Sequence, residues 1–517
     1  MKPFVITFLL ILANSLFLSA QSNDKPTAED YFNEGDYVTA LTEFLKQEKK
    51  TPNDDLLKGR IAECYLTLRG DKAKAIPYLK SLYKNHVQDT AILFRLAQAY
   101  QYDYKFNDAI ACFTNCRVNA LPKQKAALDK YIEVCENAKE MMKHPVAVTF
   151  ENLGPTINSK YSDYYPFVTK DEKTLYFTTR RDETMGSLKS VYGYWTSDIY
   201  VSTVSSGQWT KAKSIGVPII TAEDEECVGI TPDGKNMIIY EDKEGIPSEL
   251  LHSEITAKAK TFNRPTLFND PINTNKLELE GFYTADATTL YFVSDRKGGQ
   301  GGTDIYVSHR LPNGEWGTPQ NIGATINTNT DERFPFISED EQTLYFASKG
   351  HTGMGGFDIF KSKKDSASQQ WQKPINIGYP VNTPDDDMMF SLSGRGRDGY
   401  LSAVRKEGLG DLDIYKVVFT EVEQPLTAIR GAVHTSDTTK KELDAYITIS
   451  NAKTNEELDS KNVNSKTGRY IFIVEPGKYV VNITSKGCKP IQQEIIVFDK
   501  SDFTSEIERN FTLLPDK

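Results

Sequence analysis

The chain copies itself at a fixed interval. Between residues 150 and 382 a short linker recurs five times, as ENLGPTIN, KSIGVPII, TLFNDPIN, QNIGATIN and INIGYPVN. Its anchors, Gly154, Gly216, Asn269, Gly323 and Gly378, are spaced 62, 53, 54 and 55 residues apart, with an insertion around residues 186–194 filling the long first interval. A repeat of this length constrains the fold strongly. Each unit is too small to bury its own apolar face and must pack on its copies.

Within a unit the order is constant. An extended run comes first (YYPFVT, RFPFIS), then a turn carrying Asp171, Asp233, Asp286 or Asp340. A second run holds Leu175-Tyr176-Phe177, Met237-Ile238-Ile239, Leu290-Tyr291-Phe292 or Leu344-Tyr345-Phe346. A loop, often Gly-rich, leads to Asp198-Ile199-Tyr200, Asp304-Ile305-Tyr306, Asp358-Ile359-Phe360 or Asp413-Ile414-Tyr415, and a last run opens at Trp209, Phe262, Trp316 or Trp371. Short aromatic and β-branched runs between Gly, Asn and Asp read as strands. Four strands repeated radially predict β-propeller blades over residues 146–422. The last unit has three strands, and one strand precedes the first unit. That entering strand is expected to complete the final blade and close a five-bladed ring without free edges; a sixth, degenerate blade is the alternative.

The flanking segments differ. Over residues 21–143 apolar positions recur at helical spacing, with a period of about 34 residues. Gly35, Tyr37, Ala40, Phe44 and Pro52 open the series, followed by Ala62, Tyr65, Gly70, Ala75 and Leu79, then Ala97, Tyr100, Phe106, Ala109 and Phe113. This predicts three tetratricopeptide repeats and a capping helix, hence an α-solenoid; plain helical hairpins without a superhelical groove are the alternative. Residues 425–517 alternate apolar and polar side chains around turns at Thr467-Gly468 and Pro476-Gly477, predicting a small antiparallel β-sandwich. The expected fold class is therefore a multidomain α plus all-β chain: α-solenoid, five-bladed β-propeller and small β-sandwich. Residues 1–20, with Lys2 before an apolar run and Ser19-Ala20 at its end, read as a signal peptide, or else an uncleaved anchor. The protein is thus expected to be exported.

Charge narrows the partners. The net charge is −10 with no long basic run, which argues against nucleic acid. The six His are scattered over three segments with no GxSxG elbow, so no hydrolase triad is expected, and His351 is expected to be solvated in a loop. RKGGQGGTDIY and KGHTGMGGFDIF lack the Lys-Ser/Thr of a phosphate loop and read as turns. Cys112 and Cys116 share a helix face near Cys64 and Cys135; they read as apolar packing residues, with a disulfide as the alternative.

One set of residues stands out as a candidate site. Nine residues after each linker anchor is a carboxylate: Asp163, Glu225, Glu278, Glu332 and Asp387, with Asp224, Asp331 and Asp386 beside three of them. Equivalent positions in five blades lie on a ring. Five acids converging on one channel mouth would favour a cation, and calcium suits such oxygen ligands. The plainer expectation is that each acid accepts hydrogen bonds from an adjacent blade.

These residues carry a resemblance. TKDEKTLYFTTRR, TADATTLYFVSDRKGGQGGTDIYVS and SEDEQTLYFASKGHTGMGGFDIFKS resemble TolB-type, WD-like propeller repeats, and TGRYIFIVEPGKYVVNITSKGCKP resembles a carboxypeptidase-regulatory-like domain. With tetratricopeptide repeats in front, the order resembles OmpA-family envelope proteins of Bacteroidetes, some of which support type IX secretion and gliding. The OmpA-like domain of that family does not follow here, so peptidoglycan contact is not carried over. The resemblance implies a non-enzymatic scaffold in the periplasm or on the periplasmic face of the outer membrane, binding envelope or outer-membrane proteins. A polysaccharide-binding or glycan-processing protein is the alternative.

Overall fold

The computed structural model describes residues 25–516 apart from 191–192, 243–248, 257–260, 366, 394–397, 421–425, 437–442 and 499–503. The expected signal peptide lies outside the described residues. Seven α-helices come first: α1 (Ala28–Glu34), α2 (Tyr37–Glu48), α3 (Asp55–Thr67), α4 (Ile76–Asn85), α5 (Thr90–Tyr102), α6 (Phe106–Val118) and α7 (Pro122–Met141). Local chemistry sets their starts. Asp36, Asp54 and Asp89 accept backbone N–H bonds at the open ends of α2, α3 and α5.

The expected fold class needs correction here. Among the described residues the protein is mainly β, with 36% strand against 20% helix, and no solenoid of helical repeats is evident. The helices are unequal, from seven residues in α1 to twenty in α7, and a 3-10 turn (Lys72–Ala75) interrupts the α3–α4 step. They fill two cores, with Tyr65 and Tyr78 packed against both. Ala28, Ala40, Phe44 and Ile61 form the first; Leu79, Leu96, Phe113 and Ile132 belong to the second, which Met354 joins from outside the helical segment. Small-plus-aromatic spacing serves any close helical hairpin, so it did not specify a superhelix.

Five antiparallel sheets follow. The first four are Asp163–Val168, Thr174–Thr179, Asp198–Ser205 with Gln208–Trp209 and Lys213–Ser214; Asp224–Ile230, Asn236–Asp242, Glu249–Glu254 with Thr266–Leu267; Glu278–Tyr283, Thr289–Ser294, Asp304–His309 with Gln320–Asn321; and Glu332–Ile337, Thr343–Ser348, Asp358–Lys363 with Ile375–Asn376. In the fifth, Phe390–Leu392, Asp398–Ala403 and Asp413–Phe419 are joined by Val148–Asn152, paired from Val148↔Phe419 to Asn152↔Tyr415. The innermost strands of sheets one to five touch in cyclic order, the fifth returning to the first. The central body is a β-propeller.

Buried asparagines fasten the ring. Asn327 accepts from the Ile305 N–H (2.9 Å) and donates to the Ile305 carbonyl (2.9 Å); Asn158, Asn273 and Asn382 do the same for Ile414, Leu250 and Ile359. Each side chain pairs a buried backbone N–H and adds a second bond to a carbonyl that already accepts from a linker N–H, as Ile305 does from Ile322 (3.2 Å). The final residues make two sheets, with a core that includes Ile447, Phe472, Val481 and Leu513.

Polar contacts join the three parts. Helix α7 bonds the last part through Glu133–Arg430 (3.2 Å), Glu140–Lys461 (2.6 Å) and Glu136 with Asn464 (2.9 Å). Asn137 donates to the Gly353 carbonyl of the propeller (3.3 Å), and Lys72 pairs with Asp385. Glu506 takes bonds from Thr352 and Lys373, both at 2.7 Å. Among the described residues no helix is long and apolar enough to cross a membrane.

Candidate functional site

The five acids occupy equivalent positions, but each is held inside its own sheet. Asp163, Glu225, Glu278, Glu332 and Asp387 are all buried. Each accepts from the backbone N–H and the hydroxyl of a Ser or Thr four residues earlier: Ser159 (2.6 and 2.8 Å), Thr221 (3.1 Å from N–H), Thr274 (3.0 and 2.9 Å), Thr328 (2.7 and 2.7 Å) and Thr383 (2.5 and 2.9 Å). A second hydroxyl reaches three of them from the neighbouring strand: Thr179 to Asp163 (2.6 Å), Ser294 to Glu278 (2.8 Å) and Ser348 to Glu332 (2.7 Å). Arg181 pairs with Asp163 (2.9 Å) and Arg296 with Glu278 (3.1 Å). These carboxylates staple the linker to the innermost strand. Among the described residues no group of three or more His, Cys, Asp or Glu is placed to hold a metal ion, and the five acids do not come together on calcium.

Burial pushes Glu225 up to about 7, opposed by the Thr221 bonds, and Asp358 up to about 7, opposed by the Gly355 and Met354 N–H groups. Bonds between blades fall instead to the neighbouring acids. Asp224 accepts from the Ser197 N–H (2.8 Å), Asp331 from the Thr303 N–H (3.0 Å) and Asp386 from the Phe357 N–H (2.8 Å).

A repeated cation position also escaped the sequence reading. Arg181, Arg296 and Arg405 lie over aromatic rings, and their guanidinium groups donate to the carbonyls of Ile157, Ile272 and Pro380 in the linkers. His351 takes this place in the fourth blade, contrary to its expected solvation. Its Nε2–H donates to the Ile326 carbonyl (2.8 Å), its ring meets Phe346 and Phe360, and burial holds its pKa below the usual value. The glycine runs are explained by crowding. A methyl on Gly301 or Gly355 would overlap the carbonyls of Thr330 or of Thr383 and Asp385 in the next linker.

The channel itself has three levels. Nearest the acids it is closed by paired charges. Arg180 bonds Asp224 (2.9 Å) and Glu226 (3.0 Å), Tyr164 donates to Glu226, and Arg333 forks onto Glu280, to which Tyr165 also donates (3.3 Å). Burial pushes the Glu226 carboxyl up, while Arg180 beside it pulls it down. Below lies a waist of about 20 Å³ between residues that include Pro166, Phe334 and Met389. Tyr165 (φ 55°) and Phe334 (φ 53°) adopt left-handed backbone at bulges in their strands, and their rings stand 5.5 Å apart. A further charged residue one or two positions after the recurring acid of an inner strand (Glu226, Glu280, Arg333) was the sequence signal for this closure.

The far end opens into a cavity of about 410 Å³. Phe167, Phe282 and Phe336 line it, with ring centroids 5.9 Å and 4.6 Å apart. Lys170, Lys361, Lys363, Glu339 and Asp340 also line it. Lys170 reaches Glu339 at 3.4 Å, and Asp340 is held by the Ser338 hydroxyl at 2.6 Å. Ser393, also in the lining, is 4% exposed, and among the described residues its hydroxyl has no hydrogen-bond partner.

No protein-family model and no curated protein matches the sequence. Among solved structures the chain is similar to TolB from Acinetobacter baumannii, at 13% identity over 56% of this chain and 69% of that one (TM-score 0.33). It is similar to the endo-arabinase of Bacteroides thetaiotaomicron at 13% identity over 53% and 97% (TM-score 0.33). The catalytic domain of a Coprinopsis cinerea GH62 α-L-arabinofuranosidase aligns at 10% identity over 53% and 98% (TM-score 0.35). Likenesses this distant carry nothing about activity or ligand.

Proposed function

We propose that this protein is an exported, non-enzymatic scaffold of the cell envelope that binds partner proteins at the open mouth of its propeller. The observation that carries this reading is the contrast between the two ends of the channel. At one end the acids are engaged by arginines, tyrosines, serines and threonines; at the other an aromatic-lined cavity with charged side chains opens outwards. A glycosidase works with two carboxyl groups free to face a sugar. Glu226 and Glu280 are instead each bonded by an arginine and a tyrosine. The contacts from α7 to the last part and from Glu506 to the propeller give a partner one rigid surface.

The periplasmic setting, and a place beside type IX secretion or gliding machinery, belong to this proposal through the resemblance of the blade and sandwich motifs. Affinity isolation of the tagged full-length protein from solubilised envelopes tests it, alongside a polysaccharide array and hydrolysis assays on the same preparation. Specific recovery of envelope proteins, lost on Lys361→Glu plus Lys363→Glu, is the expected result. Array binding or sugar release, without protein recovery, would overturn it.

A further inference from the structure

The helical segment has two unlike ends. Consecutive helices from α1 to α7 pack on one another through short turns, so they run antiparallel and their turns alternate between the ends. One end meets the propeller. Lys72, between α3 and α4, pairs with Asp385, and the Tyr104 ring, between α5 and α6, stands 6.3 Å from Tyr379. The α2–α3, α4–α5 and α6–α7 turns lie at the other end, and side chains tie them into a row. Asp55 accepts from the Asn85 amide (3.1 Å) and lies 3.1 Å from the His86 ring nitrogen; the Cys116 thiol donates to the Thr90 carbonyl (3.5 Å).

This far end is apolar where solvent-facing turns are ordinarily polar. Leu56 is 69% exposed, Val87 56%, Val118 67% and Leu121 64%. None of the four belongs to either helical core. Leu121 also occupies the N-cap of α7, a place where α2, α3 and α5 carry an aspartate that accepts backbone N–H bonds. A leucine side chain cannot accept that bond, so the choice costs helix stability and gains no packing.

Lysines flank the row. Lys49, Lys50, Lys84, Lys123 and Lys125 have no ion pair among the described residues. The acids of this end are already engaged. Asp54 and Asp89 cap α3 and α5, Asp55 holds Asn85 and Lys58, Glu48 accepts from Tyr78 (3.0 Å), and Asp129 pairs with Arg117. Unpaired cations therefore gather here on a chain of net charge −10. Apolar tips projecting from successive turns, fringed by lysines, match a layer that is anionic above and hydrocarbon just beneath.

We infer that the far end of the helical segment docks on an anionic lipid surface, dipping Leu56, Val87, Val118 and Leu121 between headgroups while the lysines meet the phosphates. This goes beyond the scaffold reading and does not depend on the propeller mouth. Each tip gains by leaving water, and each lysine adds an attraction that salt screens.

Sedimentation of the full-length protein with phosphatidylcholine vesicles, with and without about one-third phosphatidylglycerol, tests it. Binding to the mixed vesicles is expected at low salt, at least tenfold weaker to phosphatidylcholine alone, and weaker again at about 0.5 M salt. Leu56→Gln plus Leu121→Asp should cut binding at least tenfold. Because Leu121→Asp supplies the missing cap, the melting temperature should hold or rise, which separates lost docking from lost folding. Lys49→Gln, Lys50→Gln, Lys123→Gln and Lys125→Gln together should remove the preference for phosphatidylglycerol. Leu458→Gln, at an exposed leucine of the last part, should change nothing. No binding to the mixed vesicles, equal binding to both kinds, or indifference to the leucine pair would overturn the inference. If the leucine pair instead abolishes a dimer, or the recovery of an envelope protein in detergent, while vesicles are not bound, the face is a protein interface and the inference falls.

Discussion

The helical segment and the propeller both present themselves in sequence as repeats, yet only the propeller is built as one. In the helices the recurring residues are Ala, Tyr and Phe, whose job is to let two helices approach and to fill space. Unequal helices around two cores satisfy that job as well as a regular stack does. In the propeller the recurring residues make directional bonds: Asn to the backbone of the preceding unit, carboxylate to a hydroxyl four positions back, cation to a linker carbonyl. Directional bonds fix geometry, and packing residues leave it open. A repeat written in hydrogen-bonding residues is therefore stronger testimony to architecture than one written in apolar spacing.

The comparison can be broken by substitutions on either side. Arg333→Leu removes the partner of Glu280, which is 1% exposed, and should cost about 3–5 kcal/mol, as for other broken buried pairs. Hydrogen exchange should rise across the innermost strands and stay unchanged in α1–α7. Phe113→Ala, at a site with no exposure, should cost about 3–4 kcal/mol and raise exchange in α5–α7 alone. If either variant loosens both regions equally, the two are one cooperative unit and the contrast fails.

Asn327→Leu sharpens the propeller side. It keeps the volume but leaves the Ile305 N–H buried and unpaired, with the Ile322 N–H as the remaining donor to the Ile305 carbonyl, at about 1–3 kcal/mol. A loss below about 0.5 kcal/mol, read from the urea midpoint, would mean the clamp is redundant.

The smallest effect is a pH dependence. Burial raises the Glu225 carboxyl from 4.5 to about 7, so the folded state keeps its proton where the unfolded chain has lost it. Its contribution is complete below about 4.5 and disappears as pH rises through 7. Glu225→Gln should therefore raise the melting temperature at pH 8 more than at pH 5. His351 opposes this trend: its lowered pKa favours the neutral ring in the fold, so its contribution is present above about 6.5 and lost as pH falls through the folded value. A Glu225→Gln gain that is the same at both pH values would place the raised carboxyl elsewhere.

Much of the propeller was legible because its signals are local and repeated. The position of the five acids was read from spacing, but their work was not. The Ser or Thr four residues earlier recurs in every unit, from Ser159–Asp163 to Thr383–Asp387, and would have revealed a staple rather than a shared cation centre. The equivalence of His351 with Arg181, Arg296 and Arg405 was hidden because a histidine and an arginine do one task from loops of different sequence. The channel mouth was not legible at all. Phe167, Phe282 and Phe336 look like any inner-strand aromatics, and only ring closure sets them against Lys361 and Lys363.

The central claim, that partners are taken at the mouth, is tested most directly by cross-linking in intact cells. Lys363→Cys carrying a short photoactivated cross-linker samples the mouth, and Lys489→Cys samples an exposed site on the last part of the chain. The account predicts discrete adducts with envelope proteins from position 363, abolished by Phe336→Ala, and none of those adducts from position 489. Identical adducts from both positions, or adducts from 363 that persist in the Phe336→Ala background, would contradict it.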